Sequence, residues 1–136
     1  ADIDQNRHLR HSVYYDYGAM LRINFLNAHG LTSEKMEELK IGPVIFREEA
    51  IFKREIKLGD EVEIDVKLIK STPGFGRWTI RHNFIKKDGT LAALLTLDGA
   101  WVDIVKRKLT IPEIFIQNIF DAFPKPDDFQ MVTKNE

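Results

Sequence analysis

Asp4, His8 and His11 fall within one eight-residue stretch that leads directly into an apolar helical segment. A carboxylate close to a helix start is placed to act as a base or nucleophile. The free backbone N–H groups near His11 and Ser12, with the positive end of the helix dipole, can polarise a carbonyl and steady the oxyanion that develops on it. His11 could hydrogen-bond that carbonyl or orient the carboxylate, and His8 reads first as a structural hydrogen-bonder. Base, donor and dipole together are the equipment of acyl chemistry. An Asp ahead of a helix is more often a turn or cap residue, so residue type and spacing alone leave Asp4 open between the two roles.

Other chemistries find less support. The chain has no cysteine, hence no thiol nucleophile and no thiolate metal site. Its four histidines lack a spaced set of partners, so no metal is expected. There is no Gly-x-Ser-x-Gly elbow, phosphate-cradling loop or dinucleotide fingerprint, and no cofactor is expected. His82 alternates with Trp78 and Phe84 along one strand face, where a buried, satisfied imidazole is expected, and His29 at a helix end complements the dipole. Twenty Lys+Arg against twenty-one Asp+Glu give a net charge of −1, too near neutral for gripping a nucleic-acid backbone. The longest uncharged apolar run falls far short of the roughly 18 residues of a membrane span. With Ala1 in place of Met, an incomplete or processed N-terminus is expected; no signal peptide is legible, and a cytoplasmic location is the expectation.

The elements that must position these residues are readable from periodicity. Tyr14, Tyr17, Gly18, Leu21, Phe25 and Ala28 recur at helical spacing, and Val13, Met20, Ile23 and Leu26 widen the apolar surface over most of the girth. That predicts a buried central helix over 13–29, capped by Ser12 and closed by Gly30. A short helix capped by Thr32 or Ser33 should end near Gly42-Pro43. The period then changes to two: a strand over 44–57 with an irregularity around Glu48-Glu49-Ala50, a turn at Leu58-Gly59-Asp60, and an alternating strand through Val62, Ile64, Val66 and Leu68. The loop Thr72–Gly76 precedes a strand carrying Trp78 to Phe84. Asp88-Gly89 turns the chain into a last long strand, Thr90 to about Val105. Pro112 opens an amphipathic helix bearing Phe115, Ile116, Ile119, Phe120 and Phe123, and the polar tail from Pro124 should be loose. A helix, four antiparallel strands and a terminal helix make an α+β domain.

The segment Asp4-Gln-Asn-Arg-His8-Leu-Arg-His11-Ser-Val-Tyr14, leading into the apolar helix, resembles the entry motif of hotdog-fold acyl-coenzyme A thioesterases of the 4-hydroxybenzoyl-CoA thioesterase type. In that family an Asp precedes a Gly-His-Val-Asn-Asn or Val-Tyr-His segment, a Tyr and the central helix. Asp4, His8, His11, Tyr14 and Arg22 fall in register, as do the Leu58-Gly59-Asp60 turn and the Val102-Asp103 strand ending. The resemblance spans roughly residues 4–112. It departs at Arg7 and Arg10, and at Ala19 and Met20, where many relatives carry a helix Glu; Asp16 lies off register. With three residues before Asp4, a truncated or very short first strand is expected.

The resemblance implies a hotdog unit over 1–111, with 112–136 as a helix and tail of the same domain: a twisted antiparallel sheet wrapped around one long helix. It implies hydrolysis of an acyl-CoA or acyl-carrier-protein thioester, with Asp4 as base or nucleophile and His11 on the carbonyl or leaving thiolate. His11 and Ser12 would supply the oxyanion amides, while His8, Tyr14, Glu48 and Glu49 would support. Lys70 and Arg77, flanking the Thr72–Gly76 loop, would contact the phosphates of coenzyme A. A homodimer or tetramer is implied as well. The alternative is a non-hydrolytic hotdog module that binds acyl thioesters or serves as an assembly unit, which the missing helix Glu favours. A dehydratase would need its own His and acidic pair around the central helix, and the sequence lacks that arrangement.

Overall fold

The first helix, α1 (His11–Ala28), lies across a curved sheet and is closed by a left-handed glycine. Gly30, at φ +90°, lets Leu31 N–H reach the Leu26 carbonyl (2.9 Å) and Gly30 N–H the Asn27 carbonyl (3.0 Å), a Schellman closure. The computed structural model describes residues 10–133. Asp4 and His8 lie outside the described residues.

α2 (Ser33–Leu39) follows, with Thr32 Oγ1 accepting from Lys35 N–H as its cap. Then come β1 (Ile41–Phe52), β2 (Val62–Ile64), β3 (Lys67–Ser71), a tight turn at Pro73–Phe75, β4 (Arg77–Lys86), β5 (Leu91–Asp103), β6 (Lys108–Thr110), α3 (Ile114–Asp121) and β7 (Gln130–Met131). The sheet order is β1-β5-β4-β3-β7, with β2 also on β4 and β6 on β5. All pairings are antiparallel except β3 with β7. A sheet faced by helices on one side is the α+β hotdog architecture expected from the sequence.

Alternation sorts the strands by face. Trp78, Ile80, His82 and Phe84 of β4 and Leu95, Leu97 and Trp101 of β5 point towards the helices and are buried. Trp78 and Trp101 pack on Phe120 of α3, each ring 5.3 Å from it, and Phe123 stacks on Phe25 of α1 at 3.9 Å. A second apolar cluster gathers Tyr14, Ile56, Phe84 and Leu95 near the start of α1. Gly18 brings helix and sheet close: a Cβ there would sit 2.6 Å from Leu95 Cδ2. No helix among the described residues is long and apolar enough to cross a membrane.

Several expectations need correction. Ser12 is not the N-cap: Arg10 is, with no capping side chain, and α1 begins at His11. α1 is covered on one face only. Val13, Tyr14, Gly18 and Leu26 are buried, whereas Met20 and Ile23 remain 56% and 55% exposed, because one sheet can shield only one side of a helix. β1 starts at Ile41, so Gly42 and Pro43 belong to the strand; Pro43 is tolerated because β1 is an edge. The irregularity in β1 lies at Phe46, where Ile45 faces Gly99 and Arg47 already faces Asp98. The 62–68 strand breaks at Asp65, whose carboxylate accepts from Asn83 N–H (2.6 Å) and Asn83 Nδ2 (3.0 Å), taking the place of ladder partners. α3 begins at Ile114, two residues beyond Pro112. The described part of the tail, 124–133, is not loose. Val132 N–H donates to the Ser71 carbonyl and Leu68 N–H to the Pro124 carbonyl, both at 2.8 Å, so it closes the free edge of β3.

Candidate active site

Three groups of side chains could do chemistry, and the fold separates them. The first surrounds the start of α1. His11 is its first residue, and its ring stacks on Phe52 of β1 at 3.9 Å with an interplanar angle of 13°. Tyr14, one turn on, meets the edge of that pair and sits 4.9 Å from both Phe52 and Phe84. Burial raises the Tyr14 hydroxyl's pKa, so it stays protonated and can donate. Arg10 makes no side-chain cap, and among the described residues no side chain occupies the first-turn amides of His11 and Ser12, which lie at the positive end of the dipole. This is an anion-seeking end with an imidazole held flat beside it.

The second group lies beneath α1. Arg22 reaches down to the sheet, where one guanidinium nitrogen donates to His82 Nε2 at 2.9 Å and another lies 3.7 Å from Glu48 Oε2. The other imidazole nitrogen, Nδ1, donates to the Asp65 carbonyl at 2.9 Å. A carbonyl only accepts and a guanidinium only donates, so the imidazole is the neutral Nδ1–H tautomer. His82 is fully buried, and its pKa is lowered to about 4. Burial is the main cause; the Asp65 carbonyl opposes it, and the adjacent Arg22 cation pushes the same way as burial. Burial also lowers Arg22, with Glu48 holding it up. The expectation of a satisfied, buried His82 fits this geometry.

The third group is a cleft of about 540 Å³ on the helix-free face. Lys70 and Arg77, singled out as anion contacts, line it together with Arg47, Thr72, Thr79 and Asp98. Two bulges shape it. Phe46 is the extra residue of β1, and Ile69 is the extra residue of β3, between Leu68 facing Ile80 and Lys70 facing Thr79. Thr79 and Asp98 face each other across β4 and β5, so both bulges fall at one height in the sheet and turn Arg47 and Lys70 towards the same hollow. Asp98 accepts from Thr79 Oγ1 at 2.7 Å and lies 3.6 Å from Arg47, which also pairs with Glu49 at 3.2 Å. Neither Lys70 nor Arg77 takes part in an ion pair among the described residues, while the Arg77 guanidinium lies 5.3 Å over the Phe46 ring. Two uncommitted cations with hydroxyls and an exposed aromatic plane suit a phosphorylated, ring-bearing ligand.

Thus Lys70 and Arg77 share a site, and His11, Ser12 and Tyr14 share another. Glu48 and Glu49 part company: alternation sends Glu48 under α1 and Glu49 to the opposite face. The helix start and the cleft are far apart within one chain. Phe52 pairs with Ala93 and Arg47 with Asp98, five residues further along β5, roughly 17 Å at strand rise, and the two sites open on opposite faces. Phe46 and Thr79 were not singled out by sequence; the muddled apolar phase around residue 48 was the trace of the bulge at Phe46. Among the described residues no group of His, Asp and Glu side chains could hold a metal ion.

A family model described as "Thioesterase-like superfamily" matches residues 1–130. No curated protein matches the chain. Solved structures of similar fold include the SAV2348 protein from Staphylococcus aureus in complex with CoA, at TM-score 0.78 and 19% identity, covering 99% of this chain and 89% of that one. BH1999 gentisyl-coenzyme A thioesterase is similar at TM-score 0.69 and 20% identity over 89% and 93% of the two chains. Slr0204, a 1,4-dihydroxy-2-naphthoyl-CoA thioesterase from Synechocystis, reaches TM-score 0.77 at 10% identity over 89% and 88%. At such identities the likeness is one of fold.

Proposed function

Since the chain belongs to the thioesterase-like superfamily, we propose that it hydrolyses an acyl-CoA thioester to the free acid and coenzyme A, by the route of the 4-hydroxybenzoyl-CoA thioesterase type. The observation that carries this reading is the start of α1 beside His11, whose first-turn amides no described side chain caps, a place that suits an oxyanion. In the proposed reaction Asp4 takes a proton from water, and the water oxygen attacks the thioester carbon. The amides of His11 and Ser12 hold the oxyanion. The C–S bond then breaks, the acid is released, and the thiolate leaves with the proton. Attack by Asp4 itself, followed by hydrolysis of the resulting anhydride, gives the same products. His8 and Tyr14 are assigned to orienting these groups; Glu48 lies with Arg22 under α1, and Glu49 is on the far face, where it holds Arg47.

Lys70 and Arg77 are proposed to bind the phosphates of coenzyme A. Since the helix start and the cleft lie on opposite faces of one chain, the proposal places them on one substrate only through a second copy, whose cleft faces the first copy's helix.

The test is a thiol-release assay over short, long and aromatic acyl-CoAs. Asp4→Asn should lower kcat by a factor on the order of 10²–10⁴ with KM little changed. Lys70→Ala and Arg77→Ala should raise KM for acyl-CoA but not for a truncated acyl thioester lacking the nucleotide. Wild-type rates in folded Asp4→Asn protein would refute the assignment of Asp4. Binding of an acyl-CoA without release of thiol would favour the non-hydrolytic module, the reading that Ala19 and Met20 support by standing where relatives carry Glu.

A further inference from the structure

The hairpin between β5 and β6 carries a run of exposed residues, Ile104-Val105-Lys106-Arg107-Lys108-Leu109. The run holds three aliphatic side chains, three cations and no acid. Ile104 and Val105, at its apex, stand 52% and 70% exposed. The turn is held by its own hydrogen bonds. Asp103, at the end of β5, faces Lys108 of β6; its carbonyl accepts from Arg107 N–H at 2.7 Å, and its carboxylate accepts from Lys106 N–H at 2.9 Å. Arg107, at φ +58°, completes the reversal. On the flank, Ile104 N–H donates to the Lys40 carbonyl at 3.0 Å, which sets a fourth cationic residue beside the tip.

Water is a poor neighbour for this tip. Turns are ordinarily built of polar and small residues, and two aliphatic side chains at an apex gain nothing by exposure. Among the described residues, none of Lys40, Lys106, Arg107 and Lys108 joins an ion pair. The acids at this end are Asp103, engaged in the turn, Glu113, which shares a small hollow with Asp103 and Lys40, and Glu37 in the last turn of α2. A second copy of the chain does not suit the tip, because a two-fold contact there would set the same three cations against one another. A flat anionic surface does. Aliphatic side chains at the apex of a convex turn can enter the boundary between headgroups and acyl chains, while cations around them meet the phosphates.

We propose that the β5–β6 hairpin docks the protein on an anionic lipid bilayer, with Ile104 and Val105 in the headgroup boundary and Lys40, Lys106, Arg107 and Lys108 on the lipid phosphates. The docking is peripheral, since no helix among the described residues is long and apolar enough to cross a bilayer. It stands apart from the thioesterase reading, because it asks nothing of the helix start or of the charged cleft. Each cation near the surface should strengthen binding about fivefold. Each aliphatic side chain that enters should strengthen it about tenfold.

The experiment is co-sedimentation of the full chain with vesicles of phosphatidylcholine alone and of phosphatidylcholine and phosphatidylglycerol in equal parts. The protein should pellet with the mixed vesicles and stay in solution with the neutral ones, and added salt should release it. Lys106→Ala with Arg107→Ala should weaken binding about twenty-five-fold, and Val105→Asp at least tenfold. All three positions are exposed, so folding is not at stake. Depth is read from Val105→Trp: both native tryptophans are buried, so a shift of emission to shorter wavelength on mixed vesicles reports the tip. No pelleting with mixed vesicles, wild-type binding by Val105→Asp or by the double alanine variant, or an unshifted Val105→Trp emission would overturn the proposal. Absence of vesicle binding together with a mass in light scattering that Val105→Asp halves would also overturn it, and would give the tip to a second copy of the chain instead.

Discussion

With its Nδ1–H on the Asp65 carbonyl and its Nε2 accepting a hydrogen bond from the Arg22 guanidinium, the His82 ring has no place for a second proton. Protonation would set an imidazolium against the guanidinium, with Glu48 on the far side of Arg22 and the Asp65 carboxylate engaged by Asn83. The unfolded chain binds that proton near the ordinary pKa of 6.5, the folded chain only near about 4. Stability from this source is therefore complete above pH 6.5 and is lost as pH falls towards 4, a change on the order of 3 kcal/mol. Urea unfolding across that range should show it, and Arg22→Met should shrink the pH-dependent part while lowering stability at neutral pH. A pH-independent midpoint between 7 and 4 would contradict the tautomer assigned here. That Arg22 needed a partner was legible, because a charge on an apolar helix must be paired. Which glutamate served it was not legible, since the parity of residues 48 and 49 depends on where the bulge in β1 falls.

Among the elements, α3 shows how much a short amphipathic helix contributes. Ile116, Ile119, Phe120 and Phe123 are all buried, and Phe120 alone touches Phe75, both tryptophans and Phe123. Truncating such a ring leaves a cavity that neighbours this large cannot fill, so Phe120→Ala should cost about 3–5 kcal/mol in denaturant unfolding. A loss below 1 kcal/mol would place the helix outside the core. This apolar face was readable because Phe115 to Phe123 repeat at helical spacing. β7 was not, since two residues in a polar tail carry no period, and what recruits them is the unpaired edge of β3. The break at Asp65 was hidden for a related reason. Its neighbours alternate as one strand, and only the position of Asn83 on β4 shows that the carboxylate has replaced a ladder partner.

For the molecule as a whole, part of the exposed apolar surface lies on α1 and on the edge strand β1. Met20 and Ile23 on α1 and Phe46, Ile51 and Phe52 on β1 are all exposed, and among the described residues β1 has a neighbour on one side only. Exposed apolar residues beside an open strand edge suit a second copy of the chain. We propose a homodimer, or a tetramer of two such dimers, and one domain in which the hotdog unit to residue 111 and the helix and tail beyond it unfold together. Light scattering at micromolar concentration should give at least twice the monomer mass, and Ile23→Glu should reduce it. A strict monomer would remove the dimer and the two-copy substrate site that depends on it. The girdle of apolar residues on α1 was the sequence's trace of this surface. The sequence could not say which half of the girdle the chain covers itself, because that depends on how the sheet curves.

Phe46 is an added residue in a ladder that closes without it. Ile45 faces Gly99 and Arg47 faces Asp98, so removing the residue between them restores plain alternation and leaves every other side chain of β1 on its present face. Its ring nevertheless forms one wall of the charged cleft and lies under Arg77. A single added residue thus gives a regular edge strand one wall of a cleft while the register on either side of it is kept.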